Sequence, residues 1–324
     1  MDGERRDKLL RSDYAVAGAV SGVVTRALVS PLDLLKIRYQ LQVSSAAADI
    51  RYTGIVSSLV RVVKEEGVRG LWKGHVPAQL LSVTYGAVQF YAFEGMKTSA
   101  SHFGGQGSSQ GSPASASRPS TTAATNFICG GLAGCCATLA AHPLDVMRTR
   151  LVAQCSRRIR VYTSLHQGVL HVWRNEGALA FYRGLSPTLL LVFPQTGLQF
   201  SIYHSLSSLW TQTLGERSVL GFPRSSVCGM AAGMLSKLAI LPLDLMKKRL
   251  QVQGFEQAWS SVGQTRQYVG ALDCARTVWL QEGILGFYKG TTPSLLKAGV
   301  SVALIFTSYE WCLDILCHLR GKES

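Results

Sequence analysis

The sequence predicts an all-α membrane protein with six long helices. Three observations carry that reading. Some stretches of bilayer length hold no charged residue, others are broken by a single charge, and one unit recurs three times along the chain.

A transmembrane helix needs about 20 mostly apolar residues. His75–Phe93, Thr121–Leu144 and Gly184–Gly215 contain no Asp, Glu, Lys or Arg. Tyr14–Leu32, Ser225–Leu243 and Gly290–Tyr309 each contain one, respectively Arg26, Lys237 and Lys297. A charge at membrane depth is costly and faces a bundle interior or an aqueous cavity. Helices that line water carry a polar face, which accounts for the low mean hydropathy of +0.16.

Composition narrows the class further. The 324 residues are 47% hydrophobic, which excludes intrinsic disorder, and only 16% charged, yet the formal charge is +14. Such an excess implies an anionic partner, whether nucleic acid, an anionic membrane surface or a phosphorylated solute. The uncharged runs disfavour nucleic acid. Residues 1–14 mix both signs without an apolar run, so no secretory signal is expected. Eight cysteines show no C-x-x-C spacing, and His166 and His171 are five apart, so neither a disulfide framework nor a metal site is expected. Nothing resembles a P-loop, a nucleophile elbow or an acid–base pair, so an enzyme is not expected.

The repeat accounts for all six helices. Pro31-Leu-Asp33-Leu-Leu-Lys36-Ile-Arg38, Pro143-Leu-Asp145-Val-Met-Arg148-Thr-Arg150 and Pro242-Leu-Asp244-Leu-Met-Lys247-Lys-Arg249 share one pattern at offsets of 112 and 99 residues. Glycine pairs stand 13 and 9 residues before each proline (Gly18/Gly22, Gly130/Gly134, Gly229/Gly233), a G-x-x-x-G spacing that permits close helix contact. Downstream come Glu66-Gly67, Glu176-Gly177 and Glu282-Gly283. After four residues each is followed by Trp72-Lys73-Gly74, Tyr182-Arg183-Gly184 or Tyr288-Lys289-Gly290. Each copy supplies two long helices, and an even number puts both termini on one side. Between them, Gly54–Gly67 places Ile55, Leu59, Val62 and Val63 on one helical face, as expected of a helix at the interface. The predicted organisation is a tail 1–12, repeats 13–97, 126–210 and 225–318, a Ser/Gly/Ala-rich linker 98–125, a shorter linker 211–224 and a tail 319–324.

With these motifs in all three copies, the chain resembles the mitochondrial carrier family over nearly its whole length. The resemblance implies a threefold pseudosymmetric barrel of six transmembrane helices with three short matrix-side helices around a central cavity. It implies a monomer in the mitochondrial inner membrane, with both termini toward the intermembrane space and both ends opening in turn. It also implies inter-repeat pairs Asp33–Arg148, Asp145–Lys247 and Asp244–Lys36 that close the matrix side. Gln40 and Gln251 match the family's brace on these pairs, and Val152 departs from it. The opposite gate is complete only in Phe93-Glu94-Gly-Met-Lys97. His204 and Ser207 replace it in the second copy, and the third keeps Glu310 but ends in Leu313. A weak cytosolic gate is therefore expected, with at most a Lys97–Glu310 pair and a histidine contact.

Residues at equal offsets from the motifs sit at equal heights on the wall. Arg26 and Lys237 lie five before their prolines, with Thr138 between them in the series. Seven residues beyond Gly74, Gly184 and Gly290 come Leu81, Leu191 and Lys297, the level at which the resemblance implies solute contact, with Val192 beside Leu191. Tyr85, Gln195 and Ser301 follow at eleven, and Gln89 and Gln199 at fifteen. Three cations, several amides and one aromatic suit a phosphorylated solute with a flat ring. Nucleotides, deoxynucleotides and coenzyme A fit this chemistry. A carrier-like scaffold or proton-leak protein without a solute is the reading of a different class.

The positive charge is localised. Segments 36–73, 148–183 and 247–289 hold 20 Lys/Arg against 7 Asp/Glu, and the rest of the chain holds 13 against 12. This is one polarised face, suited to anionic lipid such as cardiolipin.

Overall fold

The computed structural model describes residues 11–43, 52, 54–104, 123–154, 161–214, 224–255 and 267–320. Six long helices are present among them: α1 (Arg11–Leu41), α3 (His75–Gly104), α4 (Ala123–Ala153), α6 (Leu185–Leu214), α7 (Arg224–Gln251) and α9 (Thr291–Arg320). The short helices are α2 (Ile55–Glu66), α5 (Leu165–Asn175) and α8 (Ala271–Gly286). At 28 to 31 residues, each long helix exceeds the length needed to cross a bilayer. The expected linkers are narrower than 98–125 and 211–224, because α3 continues to Gly104, α4 begins at Ala123, α6 ends at Leu214 and α7 begins at Arg224. The segments between these ends lie outside the described residues.

Among the described residues, three of the long helices stand out by hydropathy. Val16–Leu41, Val227–Gln251 and Thr291–Cys317 are apolar enough to cross a membrane, with mean hydropathy of 1.3, 1.4 and 1.5. These are the helices interrupted by charges. The repeat ties all six together.

The helices close into a ring. α3 packs along α4, α6 along α7 and α9 along α1, while contacts between the two long helices of one copy are sparser. α1, α4 and α7 also touch one another. Each carries its motif proline inside the helix (Pro31, Pro143, Pro242), where the missing N–H and the ring bend the axis.

The largest described apolar core lies at the motif end, between the ends of α1 and α4 and the short segments. Leu34, Leu35, Ile37, Leu41, Val62, Met147, Val152, Val172 and Phe181 are buried together there. α2 turns Val62 inward and packs Ile55 and Leu59 against this core, leaving Val56 and Val60 outside. In the third copy Cys274 and Val278 of α8 pack on Leu245 and Leu250. Burial there pushes the Cys274 thiol up to about 12.

A charged clasp joins each copy to the next. The last motif base is buried: Arg38 lies 2.7 Å from Glu66, Arg150 2.5 Å from Glu176 and Arg249 2.6 Å from Glu282. Lys73, Arg183 and Lys289 pair with the same three glutamates. The guanidinium groups also reach across the copies. Arg38 Nε donates to the Val152 carbonyl (3.1 Å), Arg150 Nε to that of Gln251 (3.1 Å) and Arg249 Nε to that of Gln40 (3.3 Å). Helix ends leave such carbonyls without intrahelical partners. Gln42, Gln154 and Gln253 then fasten the following strands of chain through Tyr52 N, Val161 N and the Tyr268 carbonyl.

The glycines after the aromatic–basic pairs are required on two counts. Gly184 has φ +78°, and a Cβ there would lie 3.0 Å from the Lys247 carbonyl of the next copy. The close contact that the G-x-x-x-G pairs permit is used in the second copy. A Cβ at Gly18, Gly22, Gly229 or Gly233 would meet nothing within 4 Å, whereas at Gly134 it would lie 3.0 Å from Val192. The splaying of the helices away from the motif end leaves the other pairs facing open space.

Gly184→Ala is therefore expected to destabilise the purified carrier by about 1–3 kcal/mol, whereas Gly18→Ala leaves its thermal midpoint unchanged or slightly raised. Thermal unfolding in detergent measures both; equal midpoints would contradict the clash at Gly184.

Candidate functional site

The bent ends of α1, α4 and α7 bring the three motif aspartates together. Arg148 Nη2 donates to Asp33 Oδ2 at 2.7 Å, Lys36 Nζ to Asp244 Oδ2 at 2.5 Å, and Lys247 Nζ lies 2.7 Å from Asp145 Oδ2. Gln40 Nε2 donates to Asp244 (3.3 Å) and Gln251 Nε2 to Asp145 (2.8 Å). Val152, at the position without a brace, is buried in the apolar core instead.

Each aspartate has a second cation nearby. Lys297 pairs with Asp33, Lys237 stands 4.0 Å from Asp244, and Lys248 donates to Asp145 at 2.9 Å. Six cations thus surround three carboxylates, a net excess of three positive charges. The Lys297–Asp33 contact stands where the Asp33 corner has no glutamine. Lys237 and Lys297 belong both to the cavity and to the closed end.

A cavity of about 610 Å³ opens above these pairs, lined by Lys36, Lys237 and Lys297 together with Gln199, Ser301, Ser294, Met230, Gly229, Gly233, Ala298 and Val302. That volume lies in the usual range for small-molecule sites. Of the sequence-derived candidates, this cavity brings together Lys237, Lys297, Gln199 and Ser301. Arg26, Leu81, Tyr85, Gln89, Leu191, Val192 and Gln195 are not in its lining. Leu191 is buried, because α6 packs it inward. Arg26 on α1 is close enough to Asp33, Arg148 and His75 to interact with their charges, and Tyr85 lies near Gly134 and Val192. The cavity is thus weighted toward α7 and α9.

At the other end the helices stand apart. Glu94 and Glu310 are exposed, and Lys97 lies over the Phe93 ring at 6.0 Å. Among the described residues no ion pair joins Glu94, Lys97 and Glu310. The molecule is closed at the motif end and open at this one.

Sequence reasoning missed Lys248, Met230 and the cavity role of Lys36. Lys248 was visible as a second lysine in the third motif alone, where the other copies have Ile37 and Thr149.

The ring of three helix pairs, the paired aspartates and the solvent-open cavity define a solute carrier. The sequence profile described as "Mitochondrial carrier protein" matches residues 11–103, 119–214 and 218–319. The chain belongs to the mitochondrial carrier family, whose members are transporters rather than enzymes. Stretches 20–42, 71–90, 197–206 and 294–301 resemble the mitochondrial thiamine pyrophosphate carrier within that family. The Bos taurus protein of that name is 47% identical over 96% of this chain and 95% of its own length. The Homo sapiens one is 46% identical over 100% and 97%. The Zea mays "Mitochondrial thiamine diphosphate carrier 2" is 33% identical over 95% of both chains.

Asp145→Asn strips charge from a carboxylate held by two lysines and a glutamine, whereas Glu94→Gln alters an exposed group. The thermal midpoint is expected to fall clearly more for Asp145→Asn; equal or inverted drops would contradict this ranking.

Proposed function

We propose that this protein imports thiamine pyrophosphate into the mitochondrial matrix across the inner membrane, by alternating-access exchange against nucleotides or other phosphorylated anions. The full-length likeness to carriers of that name, at 46–47% identity, carries the choice of solute. The site's chemistry supports it. A diphosphate needs several fixed cations, and the cavity offers Lys36, Lys237 and Lys297. Gln199 and Ser301 supply hydrogen bonds to the ring portion, and Arg26, Leu81, Tyr85, Gln89, Leu191, Val192 and Gln195 line the path taken as the helices rearrange.

In this reading the motif end is the matrix gate. Asp33, Asp145 and Asp244 with Arg148, Lys247 and Lys36, braced by Gln40 and Gln251, hold it shut while solute enters from the other side. Glu94, Lys97 and Glu310 form the cytosolic gate once the solute is bound. Both termini then face the intermembrane space, and the basic segments face the matrix, where cardiolipin neutralises part of their charge. The carrier works as a monomer, since its ring is complete within one chain.

The membrane potential favours exchange. Moving one net charge costs or releases about 2.3 kcal/mol per 100 mV, and a returning anion offsets that cost. Uptake of labelled thiamine pyrophosphate into liposomes bearing the protein is expected to be much faster with internal ATP than without. Equal rates would refute exchange. Faster uptake of dATP or coenzyme A than of thiamine pyrophosphate would reassign the solute. Lys297→Ala is expected to abolish uptake; full retention would remove Lys297 from the solute site.

A further inference from the structure

The three corners of the closed end look alike in their first ion pair and differ in their second cation. At Asp33 and Asp244 the second cation, Lys297 or Lys237, also lines the cavity. A phosphate entering the cavity therefore competes with those aspartates for the same ammonium groups. At Asp145 the second cation is Lys248, which is not in the cavity lining and is only 6% exposed. Its three N–H donors are all engaged: with Asp145 Oδ1 at 2.9 Å, Thr149 Oγ1 at 3.0 Å and Gln251 Oε1 at 3.0 Å. Thr149 Oγ1 in turn donates to Gln251 Oε1 at 2.7 Å. Gln251 is fully buried, and Thr149 is 0% exposed. Lysine is rarely buried unless paired, so four mutually satisfied groups across α4 and α7 form a specific structure.

We propose that Lys248 is a positioning residue that makes the Asp145 corner a latch insensitive to solute. It holds Asp145, Thr149 and Gln251 in register across α4 and α7. The latch adds the same barrier to opening of the motif end whether the cavity is empty or filled. The other two corners are loosened by the solute, through Lys237 and Lys297. The inference rests on the carrier reading above, because it assigns Lys248 a part in that transport cycle.

The substitution Lys248→Thr introduces the residue found at this position in the second copy and leaves Lys247 and Gln251 on Asp145. In liposomes, thiamine pyrophosphate exchange and uptake into unloaded vesicles are expected to rise together, by up to roughly tenfold, the equivalent of one charged hydrogen bond. The KM stays within about twofold, since the solute-facing lysines are untouched. Lys248→Arg, which keeps charge and donors, returns both rates toward wild type. A raised KM with a lowered rate would place Lys248 in solute binding and overturn the proposal. So would unchanged rates. A double-mutant cycle of Lys248→Thr with Asp145→Asn, read as solute-free thermal midpoints, tests the latch without transport: non-additive shifts support it, additive ones refute it. Should the wild-type protein take up no thiamine pyrophosphate, the solute assignment falls and this cycle alone decides the latch.

Discussion

The fold depends on three buried arginine–glutamate contacts. Arg38, Arg150 and Arg249 each bind the glutamate of their own copy and cap backbone carbonyls of the next. A charge pair away from water is costly unless its remaining donors are satisfied, and removing one partner of such a pair costs about 3–5 kcal/mol. Here the remaining donors find the carbonyls that a helix end leaves open. One interaction thus ends a long helix, seats a short one and links two copies. The first motif base is then left to meet an aspartate across the axis, where it can be exchanged.

That division explains the distribution of rigidity. The apolar core and the clasps lie at the motif end, and at Gly74, Gly184 and Gly290 an added Cβ would come within 3.0 to 3.3 Å of a carbonyl of the next copy. Toward the other end the glycine pairs of the first and third copies face open space, and Glu94, Lys97 and Glu310 stand without ion pairs to one another among the described residues. A cavity with cations at its floor and an open mouth follows from packing the helices tightly at one end only.

Much of this was legible because the sequence states it three times. The repeat at Pro31, Pro143 and Pro242 located six helices, of which the uncharged runs mark only three. The aspartate partners are those that the resemblance to the carrier family implies. What stayed hidden is what breaks the symmetry. Equal offset sets equal height but not the direction in which a side chain points, so offsets alone do not say that Lys237, Lys297, Gln199 and Ser301 share one cavity while Leu191 packs inward. The contact of Lys297 with Asp33 crosses from the last helix to the first, a proximity that no local pattern encodes. Lys248 was visible as an odd residue, but its partners are on another helix. The glycine spacing suggested close packing, and spacing alone cannot tell a packed face from an empty one.

The unit that recurs in the sequence differs from the unit that packs in space. Long helices pair between copies, α3 with α4, α6 with α7 and α9 with α1, more than within one. Each copy therefore presents two unlike surfaces, and its neighbour supplies the complement to each. Such a head-to-tail interface either closes a ring or grows without limit. A single ancestral copy would have left both surfaces bare, and two copies would have left one of each. Three is the number at which every surface is used, so duplication of the segment made a finished object only when the third copy met the first.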